Sequence, residues 1–276
     1  MPETTTKKVL FIAQEIVPYV RETELSSLSR YLPERILAGG HDVRVFMPKY
    51  GTINERRNQL HEVKRLSGLN IVVDDDDHPL IVKVATSESK LQVYFIDNEE
   101  FYNRKSMFTP DPKTNVNDNA ERAVFFVKSV LETVKRLRWI PDVIQCTGWF
   151  TALVPLYLKT VFKDDHTWSK SKIVYTLHRE ETEGSMGADL PKRLYYDGIT
   201  PEQLAPLQEG TDTMALRRLG MAYADGIAIG TPVISDAMKE ALDLYKDTPT
   251  LHCYDFRLNE AEEYRAFYRK LLQMQE

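Results

Sequence analysis

Long apolar runs are missing from this chain of 276 residues. The best runs, 9–13 and 123–127, hold five residues each, against the roughly 20 that a membrane span needs. No transmembrane helix is expected. Lys7 and Lys8 precede the first run as in a signal peptide, but the run is too short and Gln14 and Glu15 end it. Cysteine is scarce. Cys146 and Cys253 form no disulfide framework, and a reducing cytoplasm is the expected setting. Clustered positive charge is lacking too: 36 Lys and Arg face 41 Asp and Glu, a net charge of −5. That argues against nucleic acid as a partner. The basic patch Arg56, Arg57, Lys64, Arg65 is broken by Glu62 and reads as a solvated face. The six histidines make no H-x-H or H-E-x-x-H pair, so neither a metal nor a cofactor is expected from them. No Walker loop, G-x-S-x-G elbow, repeat, linker or low-complexity segment occurs.

What is present suits a folded core: 42% hydrophobic residues, of which the aromatics alone make 10% of the chain. Residues 8–13 read as a strand whose apolar run, 9–13, suits cover on both faces. Residues 24–38 place Leu25, Leu28, Leu32, Ile36 and Leu37 at helical spacing, with Pro33 as a possible break and Gly39–Gly40 at the end. Val43, Val45 and Met47 then alternate as a strand. Strand, helix, strand in under 50 residues is a βαβ unit with parallel pairing. Residues 60–73, 80–86 and 91–96 read as short strands in hairpins, with an exposed acidic turn at 74–77 that lacks the spaced ligands of a calcium loop. Residues 97–117 read as a loop. A striped helix is predicted over 118–138, capped by Asn117 or Asp118. Strands at 141–146, 172–177 and 224–229 alternate with helices at 149–162 and 231–245, and a last helix covers 258–274. The fold class is therefore α/β: a Rossmann-like, doubly wound, mostly parallel sheet with a β-hairpin insertion, taken as one domain over residues 1–276.

In such sheets ligands sit beyond the carboxyl ends of the strands. The loops there are 14–23, 147–150, 178–187 and 230–235. A diphosphate after the first strand needs glycines and bare helix N–H groups. The first loop has no glycine; it reads Arg21-Glu22-Thr23-Glu24 at the helix start. Two carboxylates there complement the helix dipole and repel an anion. At about 5 Å and an effective dielectric of about 20, two unit charges interact by roughly 3 kcal/mol. His178 ends a strand beside Glu180 and Glu181, either as an acid/base group or as a hydrogen-bonded strand end. Asp118 is either a catalytic carboxylate or a helix cap, and Trp149 either a sugar platform or a buried aromatic.

These residues resemble the N-terminal half of bacterial glycogen and starch synthases, retaining glucosyltransferases of the two-domain GT-B fold. The matching stretches begin with Lys8-Val-Leu-Phe-Ile-Ala-Gln-Glu15 followed by Pro18-Tyr19, and Ala38-Gly-Gly-His-Asp-Val-Arg-Val45 with Pro48-Lys-Tyr-Gly51. They continue through Asp118-Asn-Ala-Glu-Arg122, Pro141-Asp-Val-Ile144, Trp149 with Thr151-Ala-Leu-Val-Pro-Leu-Tyr-Leu158, and Tyr175-Thr-Leu-His178. The resemblance implies a GT-B N-terminal domain, catalytic candidates at Asp118 and His178, and sugar-side positions at Tyr19, Thr147 and Trp149. The departures are equally specific. The family's Lys-Thr-Gly-Gly-Leu, which contacts the ADP-glucose phosphates, is Arg21-Glu22-Thr23-Glu24-Leu25 here. Its His-Asp-Trp is Thr147-Gly148-Trp149, and an asparagine after the strand-end histidine is Arg179. The second domain, which supplies most of the nucleotide pocket, is expected to be absent from this chain.

The resulting expectation is a pseudoenzyme that no longer transfers glucose by itself and acts through protein contacts. Its partner would be a second copy or another protein of glycan metabolism. A second expectation is a glucosyltransferase subunit whose nucleotide-binding half comes from another chain. A third is an α-glucan-binding module using Trp149 and Tyr19. The C-terminal helix is expected to fold back over the face that the second domain would cover.

Overall fold

The computed structural model describes residues 6–110, 116–179, 183–254 and 261–274. Among the described residues ten strands follow in chain order: β1 Lys8–Ala13, β2 Asp42–Pro48, β3 His61–Glu62, β4 Leu69–Val73, β5 Asp76–Thr86, β6 Gln92–Asp97, β7 Val143–Thr147, β8 Lys172–Leu177, β9 Gly226–Ile229 and β10 Thr250–His252. Eight α-helices among the same residues accompany them: α1 Glu24–Ala38, α2 Glu99–Tyr102, α3 Asn119–Arg136, α4 Leu153–Lys159, α5 Leu190–Tyr196, α6 Thr213–Ala222, α7 Asp236–Leu244 and α8 Ala261–Gln273. The sheet runs β10-β9-β8-β7-β1-β2-β6-β5-β3, and β4 pairs β5 alone. From β10 to β6 every pairing is parallel. The β4–β5 hairpin and the β5–β6 pairing are antiparallel.

The apolar run of residues 9–13 is the central strand, wholly buried. Its neighbours β2 and β7 register at Val9↔Val43 and Val9↔Val143. The chain steps from β1 to β2 and β6, then returns to β7 on the other side of β1. With right-handed crossovers this reversal sends α3, α4, α6 and α7 to one face and α1 to the other. The topological switch point therefore lies between β1 and β7.

Local chemistry moves several boundaries. Pro33 leaves α1 unbroken. The helix expected at 231–245 begins at Asp236, because the Ser235 hydroxyl accepts from Met238 N at 3.2 Å and makes Ser235 the cap. The helix expected at 149–162 is a 3₁₀ turn, Trp149–Thr151, followed by α4, which stops at Lys159. The acidic turn is not wholly exposed: Asp74, at φ +55°, pairs with Arg193 of α5. The loop at 97–117 contains α2, capped by Asn98, whose side chain accepts from Phe101 N at 3.1 Å. Asp118 holds the N-cap position of α3 but makes no capping hydrogen bond; its carboxylate is bound by Arg104 through both oxygens. Finally, α8 does not cover the carboxyl-end rim. It lies on the sheet beside α1, with Phe267 and Leu271 against Gly226 and the Tyr268 hydroxyl donating to Gln145 Oε1 at 2.9 Å.

Candidate functional site

At the switch point the carboxyl ends of β1 and β7 meet. Gln14 N donates to Thr147 O at 3.0 Å. The Gln14 side chain turns across the gap, and its Oε1 accepts from Phe150 N at 3.1 Å. Gly148 makes room for it: the backbone there has φ +94°, and a Cβ would meet Gln14 Oε1 at 2.5 Å. Tyr50 closes the underside by donating its hydroxyl to Gln14 O at 2.8 Å. The crevice where this topology places a ligand is thus filled by a buried glutamine.

The start of α1 stands beside it. Thr23 is the N-cap: its Oγ1 accepts from Ser26 N at 2.9 Å, and Ser26 Oγ accepts from Thr23 N at 2.8 Å. This reciprocal box occupies donors that an anion would otherwise use. The Thr23 hydroxyl donates onward to the carboxylate of Glu15, which is 3% exposed. Glu22 and Glu24 stand exposed on either side, with Arg21 exposed before them. The helix end therefore carries three carboxylates around a self-satisfied cap. Attraction between the helix dipole and acidic side chains stabilises this arrangement and disfavours phosphate at the same place.

His178 lies at the end of β8, almost fully buried. Its Nδ1 sits 2.6 Å from the Arg179 carbonyl oxygen. A carbonyl only accepts, so Nδ1 carries the proton and Nε2 keeps its lone pair. Burial holds the imidazole below its ordinary value; the Arg179 carbonyl and Glu24 pull it up and Arg217 pushes it down. The ring is neutral at pH 7. Glu180 and Glu181 lie outside the described residues, and Glu183 is exposed.

The other candidates are packed away. Trp149 has no exposed surface; its ring lies 4.8 Å from Phe108 and 5.7 Å from Phe150, and a Cβ on Gly184 would strike it. It takes the buried-aromatic role, with no face left for a sugar. Thr147 is buried within β7. Tyr19 packs edge-on against Phe95, centroids 4.8 Å apart, and burial pushes its phenol up, with Arg30 opposing. Asp118 is clamped by Arg104. Gln14 and the Thr23–Ser26 box, both central here, escaped the sequence reading. The Thr-x-x-Ser pattern before an apolar stripe was the signal for the box.

A profile of the starch synthase catalytic domain matches residues 8–237. The chain belongs to that family. The glycogen synthase of Chlorobium phaeovibrioides is 36% identical over 227 residues, covering 82% of this chain and 46% of that protein. The glycogen synthase of Chlorobium chlorochromatii is 35% identical over 259 residues, 92% of this chain and 50% of that one. The chain thus spans about half the length of these relatives. The catalytic domain of Starch Synthase IV from Arabidopsis thaliana, solved with ADP and acarbose, superposes with a TM-score of 0.73 at 19% identity. The superposition covers 91% of this chain and 52% of that one, and it supports the fold alone. The fold is the α/β N-terminal half of a GT-B protein. Among the described residues no helix is long and apolar enough to cross a membrane.

Family membership sharpens the reading of the first loop. The resemblance implies Lys-Thr-Gly-Gly where this chain has Arg21-Glu22-Thr23-Glu24. In the structure the Thr23 side chain caps the helix, and Glu24 places a carboxylate in its first turn.

Proposed function

We propose that this chain does not transfer glucose by itself and serves as an interaction or regulatory module derived from a glycogen or starch synthase. It acts in the cytoplasm on a second copy of itself or on another protein of glycan metabolism. One observation carries the reading: the helix entrance after β1 is closed by Thr23 and Ser26 and surrounded by Glu15, Glu22 and Glu24. Retaining transfer from a nucleotide sugar needs a clamped diphosphate leaving group, and preorganised donors supply most of such stabilisation. Here Thr23 N and Ser26 N donate to side chains of the cap itself, and the local charge is of the wrong sign. Calorimetric titration of the purified chain with ADP-glucose, paired with a glucose-transfer assay on α-glucan, tests this. No heat and no transfer are expected. ADP-glucose bound against residues 21–25 overturns the proposal.

His178 favours a second reading. Its proton is fixed on Nδ1, which leaves the Nε2 lone pair unprotonated in a ring at the rim. In this reading the chain is one half of a glucosyltransferase, from ADP-glucose to α-1,4-glucan, and another chain supplies the nucleotide-binding half. Glucose transfer that appears only on adding that chain, and is lost in His178→Asn, separates the two readings. Binding of α-glucan through Trp149 and Tyr19 has less support, because both are buried. Free passage through immobilised amylose is expected.

A further inference from the structure

A groove with a volume of about 540 Å³ runs along α7. One wall is the stripe Ala237, Ala241 and Leu244, at positions i, i+4 and i+7 of one face of that helix. Across from it stand Ala205 and Pro206 of a 3₁₀ helix, Glu202–Leu207. Tyr245, half-buried, also lines the groove, and its hydroxyl has no hydrogen-bond partner among the described residues. Leu244 is 68% exposed, more than any other large apolar side chain described. An apolar strip beside a groove, unlike a lone exposed leucine, marks an interaction surface.

The polar border of that strip has one sign. Glu209 is bound by Arg218 at 2.9 Å and Asp236 by Lys239 at 2.8 Å. Glu240 and Asp243 form no ion pair among the described residues. At about 100° per residue, both follow one border of the Ala237–Leu244 stripe. The groove is thus an apolar trough edged by two uncompensated carboxylates.

Three kinds of occupant compete for it. A small molecule needs most of its surface enclosed, and this trough is open along Leu244. A second copy fits poorly, because pairing α7 with its copy about a two-fold axis sets the Glu240–Asp243 border against itself. A helix from another protein fits both features. It buries an i, i+3 or i+4, i+7 face in the trough and carries the opposite charge on its border. The nine residues of α7 offer it about 13 Å of wall.

We propose that this groove docks an amphipathic helix of a protein partner, with small and leucine-type residues on its buried face and Lys or Arg on the border facing Glu240 and Asp243. None of the lining residues belongs to the rim loops, so this surface stands or falls independently of the reading of the α1 entrance.

The full-length chain is titrated with a fluorescein-labelled amphipathic helical peptide of leucine and lysine, following anisotropy. A peptide with glutamate in place of lysine is the control. Saturable binding of the Leu/Lys peptide, weakened by salt, is expected, with clearly weaker binding of the Leu/Glu peptide. Leu244→Glu alters an exposed side chain and is expected to weaken binding at least about tenfold. Glu240→Gln/Asp243→Asn is expected to weaken it roughly two- to tenfold and to flatten its salt dependence. The proposal is overturned if the Leu/Lys peptide does not saturate, if either variant binds it like the parent, or if the Leu/Glu peptide binds as tightly. A dimer by light scattering that Leu244→Glu dissolves overturns it in favour of a second copy.

Discussion

Two stretches of the same rim, the turn after β1 and the end of β8, hold their polar side chains in different ways. At the end of β8 the strand still delivers a buried neutral histidine, with Nδ1 held by the Arg179 carbonyl. Trp149, across the β7 turn, remains a packed keystone. After β1, by contrast, the helix entrance has turned inward: Thr23 and Ser26 satisfy each other and Thr23 binds Glu15. Residues on the β7–β8 side are packed into the core, while the α1 entrance is held by its own cap and by Glu15. Packing constrains the first group whatever the chemistry does; only a ligand constrains the second.

That contrast breaks most sharply at Trp149. If it belongs to the core, Trp149→Ala leaves a large cavity, and chemical denaturation is expected to show a loss of about 3–5 kcal/mol. A loss below about 1 kcal/mol would mean that the ring is free enough to serve a ligand. On the other side of the rim, Thr23→Ala removes the cap and the hydroxyl bound to Glu15. The expected cost is about 2 kcal/mol by the same measurement. Thr23→Ser keeps both interactions and is expected to retain most of the stability. A Thr23→Ala variant as stable as the parent would show that the entrance is not held by its own cap.

Asp118 separates catalytic from structural use on a smaller scale. Its carboxylate meets Arg104 with both oxygens, and the two side chains are 21% and 13% exposed. A double-mutant cycle with Asp118→Asn and Arg104→Met is expected to give a coupling of about 1 kcal/mol. A coupling near zero would return Asp118 to the pool of free carboxylates.

The sheet was largely legible because its signals are local. Residues 9–13 are apolar on both faces, and the stripe from Ala120 to Val134 has a single period. The sequence shows no element between 188 and 222, and α6 shows why. Gly220 interrupts its helical pattern, yet the Tyr175 ring lies so close that a Cβ would meet it at 2.5 Å. The glycine answers a contact 45 positions away in sequence, which no window on the chain contains. The three-residue β10 and the seven-residue α5 are too short to show a period. At the site, the acidic loop was legible as composition, but the filling of the crevice by Gln14 was not. It depends on Gly148 at φ +94°, brought alongside by the β1–β7 pairing. Trp149 and Tyr19, placed on the sugar side by resemblance, are buried.

The smallest expected effect is a slope with pH, and it sharpens the contrast from the β8 side. Burial disfavours the charged form of His178 in the folded state. Above the unfolded value, about 6.5, both states hold a neutral ring and the stability is fully present. As pH falls through that value the unfolded chain takes up a proton that the folded chain resists, so stability declines until the lower folded value is reached. His41 is lowered too, mainly by burial and then by Arg265 and Arg269, and adds a decline of the same sign. Glu121 is raised, mainly by burial with Arg193 opposing, and contributes with the opposite sign around the ordinary carboxylate range. Both persist in His178→Asn, where the amide can still donate to the Arg179 carbonyl. The difference between parent and variant therefore isolates His178. Denaturant midpoints from pH 7 to pH 5 are expected to fall less steeply in the variant. Parallel slopes would mean that the ring takes up its proton as freely folded as unfolded, and that the end of β8 is as open to water as the outer face of the α1 entrance.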